Sequence, residues 1–153
     1  MAIKKLSKIV DLGRAWWVNL GAELTDFIFI HTTQKRLDVD GNKFKSLSDT
    51  YSTLKKQGAF KRQSSTGGAN LLLTGDMMSD LQPRRVTDNS VEVGWGGQES
   101  QKVVGNADRG RVITKKSKPI ARDTEKMVQK LIDKQTKKNI KKNDTVTIIK
   151  LGK

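Results

Sequence analysis

Apolar residues recur at helical spacing through the first part of the chain. Leu12, Trp16, Leu20, Leu24, Phe27 and His31 follow intervals of three and four. They predict a long helix from Ile9 to Thr33. Val18, Ile28 and Ile30 widen its apolar surface, so the helix is expected to be covered on more than one side. Trp16 and Trp17 point about 100° apart on a helix, so one of them meets a second surface. Ordinary core packing is the common form of that surface, and a neighbouring subunit is another.

Shorter elements follow. Asp38-Val39-Asp40-Gly41-Asn42 ends the first helix in a glycine-dependent turn. Ser48 is a natural N-cap, with Asp49 in the first turn of a short helix that ends at Gln57-Gly58. Leu47, Tyr51 and Leu54 share one face of it. Lys61–Asn70 has no apolar pattern and reads as a mobile, exposed loop. Leu71-Leu72-Leu73 is a short buried run. Thr74 caps a helix over Gly75–Leu81, which Pro83 stops.

Alternation then replaces helical spacing. Arg84–Thr87 and Ser90–Trp95 predict a β-hairpin around Asp88-Asn89, with Val91, Val93 and Trp95 on one face. Gln98–Asn106 is a short helix or irregular. Val112-Ile113 is a candidate strand inside the basic segment Arg109–Lys118. A helix is expected over Arg122–Ile140, its apolar stripe built from Met127, Val128, Leu131 and Ile132. Thr145–Leu151 alternates like a last strand or an extended arm. The pattern predicts one α+β domain over residues 1–153. It has a small antiparallel sheet packed by the long N-terminal helix and shorter helices, extended loops, and terminal arms at 1–8 and 143–153.

Composition adds a charge asymmetry. The 153 residues carry 30 Lys and Arg against 16 Asp and Glu, a formal charge of +14. Residues 102–153 hold 16 of the basic and 5 of the acidic residues, so the excess lies in the C-terminal third. That imbalance points to a polyanionic partner, nucleic acid or an acidic protein surface, beside the plain alternative of a solvated lysine-rich helix face. Arg109, Arg111, Lys115, Lys116 and Lys118 with Arg122 are the candidate contact residues. This third has no aromatic residue, so base stacking is not expected. Any nucleic-acid contact would be to phosphates and independent of sequence.

Catalytic chemistry is hard to assemble. The chain has no cysteine, which excludes thiolate metal sites and Cys nucleophiles, and has one histidine. His31, near a helix end, complements the helix dipole without needing a ligand. Asp38-Val39-Asp40-Gly41-Asn42 fails the calcium-loop spacing, which wants Gly at the sixth position and Glu at the twelfth. Asp38 with Asp40, or Asp76 with Asp80, are better explained as turn and cap residues than as metal ligands. No phosphate-loop or dinucleotide glycine pattern occurs. The expectation is a protein that is not an enzyme and takes no cofactor. The stretch Ala15–Ile30 contains Asn19, Glu23 and Asp26 and is not a membrane span. Met1–Lys8 is not followed by a secretory apolar core, so a soluble protein made in the cytoplasm is expected.

Four blocks in order resemble the tailed-bacteriophage virion-morphogenesis family of tail-completion and head–tail joining proteins. Asp40-Gly41-Asn42-Lys43-Phe44-Lys45-Ser46-Leu47-Ser48, followed by Tyr51 and Lys55, is similar to the family's D-G-x-x-F/W-x-x-L-S/T segment. Leu71–Leu81 looks like its L-x-x-T-G-x-L/M-x-x-S-L block. Val91-Glu92-Val93-Gly94 matches its hairpin, and Pro119-Ile120-Ala121-Arg122 resembles its P-A-R-P-F segment. The resemblance covers residues 38–135. It implies a structural protein of the virion, a ring-forming subunit at the phage neck or tail end. The implied partners are copies of itself, other neck or tail proteins and the genomic DNA that passes through the ring. The second reading is a nonspecific nucleic-acid-binding protein that uses the basic C-terminal third.

Overall fold

A computed structural model of the chain describes residues 12–57, 71 and 76–150, with side chains described as far as residue 140. The fold is α+β. Helix α1 (Arg14–Phe29) continues into a π-helical turn (Ile30–Gln34); α2 (Asp49–Lys56) and α3 (Asp76–Ser79) follow. Strands β1 (Gln82–Val86) and β2 (Val91–Gly94) form a two-stranded antiparallel sheet, and α4 (Gly97–Asp108) and α5 (Arg122–Lys150) complete the chain. The arm at 1–8, the loop Lys61–Asn70, Leu72-Leu73 and the Thr74 cap lie outside the described residues.

The first helix forms, but it starts at Arg14 after Gly13 (φ +73°), leaving Leu12 before it, and its buried face is rotated. Trp17, Leu20 and Gly21 are buried, whereas Trp16 and Phe27 are half-buried and Val18 is exposed. Gly21 is the cause. A Cβ there would stand 2.8 Å from Val91 Cγ2 and 3.0 Å from Pro83 Cγ, so only glycine lets α1 lie directly on the hairpin. The two indoles divide the surfaces between them. Trp17 enters the core, and Trp16 packs edge-on against it with ring centroids 5.0 Å apart.

The hairpin forms one residue or two away from its expected ends. Pro83 lies within β1 rather than before it. A two-stranded sheet has only edge strands, so a residue without an N–H is tolerated there. A register shift between Pro83 and Arg85 absorbs the irregularity. The turn closes as expected around Asp88-Asn89, with Thr87 N–H donating to the Ser90 carbonyl at 2.9 Å.

Four expectations are corrected. Val112-Ile113 is not a strand. Ile113 is buried, and the Val112 carbonyl accepts the Val39 N–H at 2.8 Å in an irregular loop. In α2 the buried residue is Lys55, while Leu54 is exposed. In α5 the buried stripe is Thr124, Val128 and Ile132, and Met127 turns outward. The same helix continues through Thr145 to Lys150, where a strand or extended arm was expected. Gln98–Asn106 resolves as helix α4.

Two clusters make the core. Trp17, Leu20, Val91, Val128 and Ile132 join α1, β2 and α5. Met77, Met78, Leu81, Val103 and Ile113 join α3, α4 and the basic loop. Val93 packs against both, so β2 is the seam between them.

Candidate basic interface

The basic segment is positioned from the far end of α1. Thr32 Oγ1 donates to the Ile28 carbonyl at 2.7 Å, and Thr33 Oγ1 donates to the Phe29 carbonyl at 2.7 Å. Hydroxyls that occupy carbonyls in this way compete with the next helical turn. The ladder widens accordingly, with Lys35 N–H reaching back to the Ile30 carbonyl at 3.0 Å. The widened turn buries His31, Thr32 and Thr33 in succession. His31 Nε2 donates to the Asp38 carbonyl at 2.8 Å, which fixes the start of the next loop.

That loop is a tight hook. Leu37 pairs with Lys43, and Gly41 turns the chain with φ of +90°. The Asp38 carboxylate accepts the N–H groups of Asp40 at 2.9 Å and Asn42 at 2.8 Å. Asp38 is therefore a turn residue. Val39 and Phe44 anchor the hook in the interior. The Val39–Val112 bond then ties it to the basic segment, where Gly110 (φ +75°) packs over Lys45.

The six candidate contact residues fall into different settings. Lys115 and Lys118 both pair with Asp40, Lys118 at 3.3 Å. The pairing is prepared by the backbone, since Lys115 and Lys118 exchange N–H···O bonds at 3.1 Å and so present both amines to one carboxylate. The hydrogen bond from Lys115, with a further one from Lys118, outweighs the opposing effect of burial and holds the Asp40 carboxyl below its ordinary pKa. Arg111 turns inward. Its Nε is buried without a hydrogen-bond partner among the described residues, and burial, with the neighbouring Arg109 charge, lowers its pKa. Arg109, Lys116 and Arg122 are exposed and form no ion pair among the described residues.

Sequence reasoning missed four residues of this surface. Arg36 and Lys45 add exposed positive charge, Lys55 of α2 is buried among these cations, and Asp40 answers two lysines 75 and 78 residues away. Lys55 is 3% exposed. Burial lowers its pKa, and the charges of Arg36 and Arg111 add to the effect. The basic surface is thus assembled from two separate stretches, 36–55 and 109–122. Only the second is dense enough in cations to be seen in the sequence.

The other acidic candidates have structural roles. Asp80 accepts the Gly96 N–H at 2.8 Å and Arg84 Nη2 at 2.5 Å, joining the end of α3 to both strands. The Gly96 N–H first, then Arg84, hold its pKa below the ordinary value. Among the described residues no three His, Asp or Glu side chains gather into a metal-binding group. No described helix is long and apolar enough to cross a membrane.

Comparison with protein-family models, with curated proteins and with solved structures finds no match to this chain.

Proposed function

We propose that this chain is a structural subunit of a tailed-phage particle, assembling as a ring at the neck or tail end. The observation that carries the reading is where the four family-like blocks lie. Each supplies buried residues: Val39 and Phe44 at and beside the first, Met77, Met78 and Leu81 from the second, Val91 from the third and Ala121 from the fourth. Blocks of this kind specify a shared framework rather than a reactive site. That is how a family of assembly proteins is expected to resemble one another.

The basic surface fits the same reading. Asp40 already engages the amines of both Lys115 and Lys118 from within the chain, offsetting one of their two positive charges. The cations left for a partner are Arg109, Lys116 and Arg122, supported by Arg36 and Lys45. An acidic face of an adjoining ring is the partner we favour, since a lumen rich in cations would retain DNA and hinder its exit.

Nonspecific nucleic-acid binding is the second reading, favoured by the exposed cations Arg109, Lys116 and Arg122, which form no ion pair among the described residues. Sedimentation mass and salt-dependent DNA retention separate the two. A ring-sized oligomer indifferent to DNA supports the structural role. A monomer whose DNA affinity falls steeply with salt supports the second reading and overturns the first.

A further inference from the structure

The hairpin has two outer edges, and they are not equivalent. β1 reads Gln82-Pro83-Arg84-Arg85-Val86, with one residue lacking an N–H and two exposed charges. These features block pairing with a further strand. β2 reads Val91-Glu92-Val93-Gly94, with a single charge and no proline. No backbone group of Val91, Glu92 or Val93 bonds to a described residue outside the hairpin.

An apolar groove of about 330 Å³ runs along this open edge. Every residue from Val91 to Trp95 lines it and no residue of β1 does, which places it on the side of β2 away from its partner. Trp17, Leu24 and Ile28 of α1 contribute to one wall, and Ile113 to another. Unpaired strand edge and apolar wall side by side are the two halves of a strand-addition site. The backbone gives affinity and alternate side chains give selectivity.

One segment of the chain has the matching chemistry. Thr145-Val146-Thr147-Ile148-Ile149 is five β-branched residues in succession. Such residues lose side-chain freedom in a helix and favour strands. They stand near the end of α5, well past Ile132, the last buried side chain described in that helix. Here local preference and observed conformation disagree, so the helix gets least support from its own residues over this run.

Geometry selects a second copy as the recipient. α5 lines the groove through Thr124 and Val128. At 1.5 Å per residue, Thr145 lies roughly 26 Å further along the helix axis than Val128. The run therefore stands clear of its own groove for as long as α5 is intact. Glu92, the one charge on β2, and Lys150, at the end of the run, are also of opposite sign.

We infer that Thr145–Lys150 of one copy leaves the helix and adds a third strand to β2 of another, laid in the groove beside Trp17 and Ile113. The inference rests on the ring reading, because donating a segment to the next copy is a head-to-tail contact, the kind that builds a ring when the rotation between copies closes.

The test uses the absence of cysteine from the chain. Full-length Glu92→Cys and Thr147→Cys proteins are mixed and mildly oxidised. Glu92 is exposed, so its replacement leaves the fold intact. The expected product is a disulfide-linked pair of unlike chains, with little linkage in either protein alone. A second variant replaces Thr145 to Ile149 with alanine, which strengthens helix and weakens strand. It is expected to keep its helical signal and lose the wild-type oligomer. A wild-type oligomer that persists in the alanine variant, with no mixed disulfide, overturns the strand exchange and leaves the ring standing. A wild-type chain that stays monomeric at every concentration overturns both.

Discussion

His31 Nδ1 lies 3.1 Å from Asp123 Oδ2, joining the end of α1 to the first turn of α5 across 92 residues. The opposite ring nitrogen faces a carbonyl, which can only accept, so Nε2 carries a proton there. One buried imidazole thus pins three things: the π-helical turn, the hook at Asp38 and the start of the last helix. The basic surface is built on that pin, since the hook and the basic segment are both held by it.

Replacing His31 with leucine keeps much of the volume and removes both contacts. The Asp38 carbonyl then loses its donor in the interior. A loss of roughly 1–3 kcal/mol is expected for a buried acceptor left unpaired, measured as a lower urea midpoint with an unchanged slope.

Asp123 gives the fold an acid sensitivity. Burial works against its charge, but the Lys35 hydrogen bond, the His31 charge and the Thr124 N–H outweigh it and lower its pKa. A carboxyl lowered on folding contributes stability that is complete above its unfolded value of about 4 and is lost as pH falls through the folded value. The side chain is 48% exposed, so solvent screens part of the effect. Asp123→Asn should therefore lose less stability than wild type as pH falls below about 4. Equal acid sensitivity of the two proteins would show that Asp123 is not a source of it.

Gly21→Ala tests the contact between α1 and the hairpin. Alanine is the better helix former, and at an exposed site it would stabilise. Here its Cβ meets Val91 and Pro83 too closely. The sign should reverse, with a cost of about 1–3 kcal/mol typical of overpacking. A thermal melt at or above the wild-type midpoint would contradict the packing described.

These cases show where the sequence was readable. Val91, Val93 and the Asp88-Asn89 turn announced the hairpin, because alternation and turn chemistry are local. The phase of α1 was not readable, because it depends on Gly21 meeting Pro83 and Val91, 62 and 70 positions away, and on a π-helical turn created by Thr32 and Thr33. The α5 extension was hidden by the β-branched run Thr145–Ile149, whose composition favours a strand. In the candidate interface, the dense cations of 109–118 were plain. Their pairing with Asp40 was not, since no pattern links residues 75 apart. Lys55 carries no local signal of burial beyond its place in the family-like block, and only packing makes it buried.

The division of the basic segment has its own consequence. Charge reversal at Arg109, Lys116 and Arg122 together should block association with an acidic partner. Reversal at Lys115 and Lys118 should act differently, by breaking the Asp40 pairing and loosening the hook. Asp40→Asn should leave stability nearly unchanged, as for exposed ion pairs, while raising the salt needed to elute the protein from a polyanion column. An elution point unchanged by Asp40→Asn would show that Lys115 and Lys118 are not held back by it.

The central claim, a ring subunit of a phage particle, is tested most directly by electron microscopy of particles carrying this chain, labelled with a gold-conjugated antibody against it. The account predicts gold confined to the head–tail junction or the tail end, at one place per particle. Gold spread over the head or along the tail, or particles that assemble fully without the chain, would contradict it.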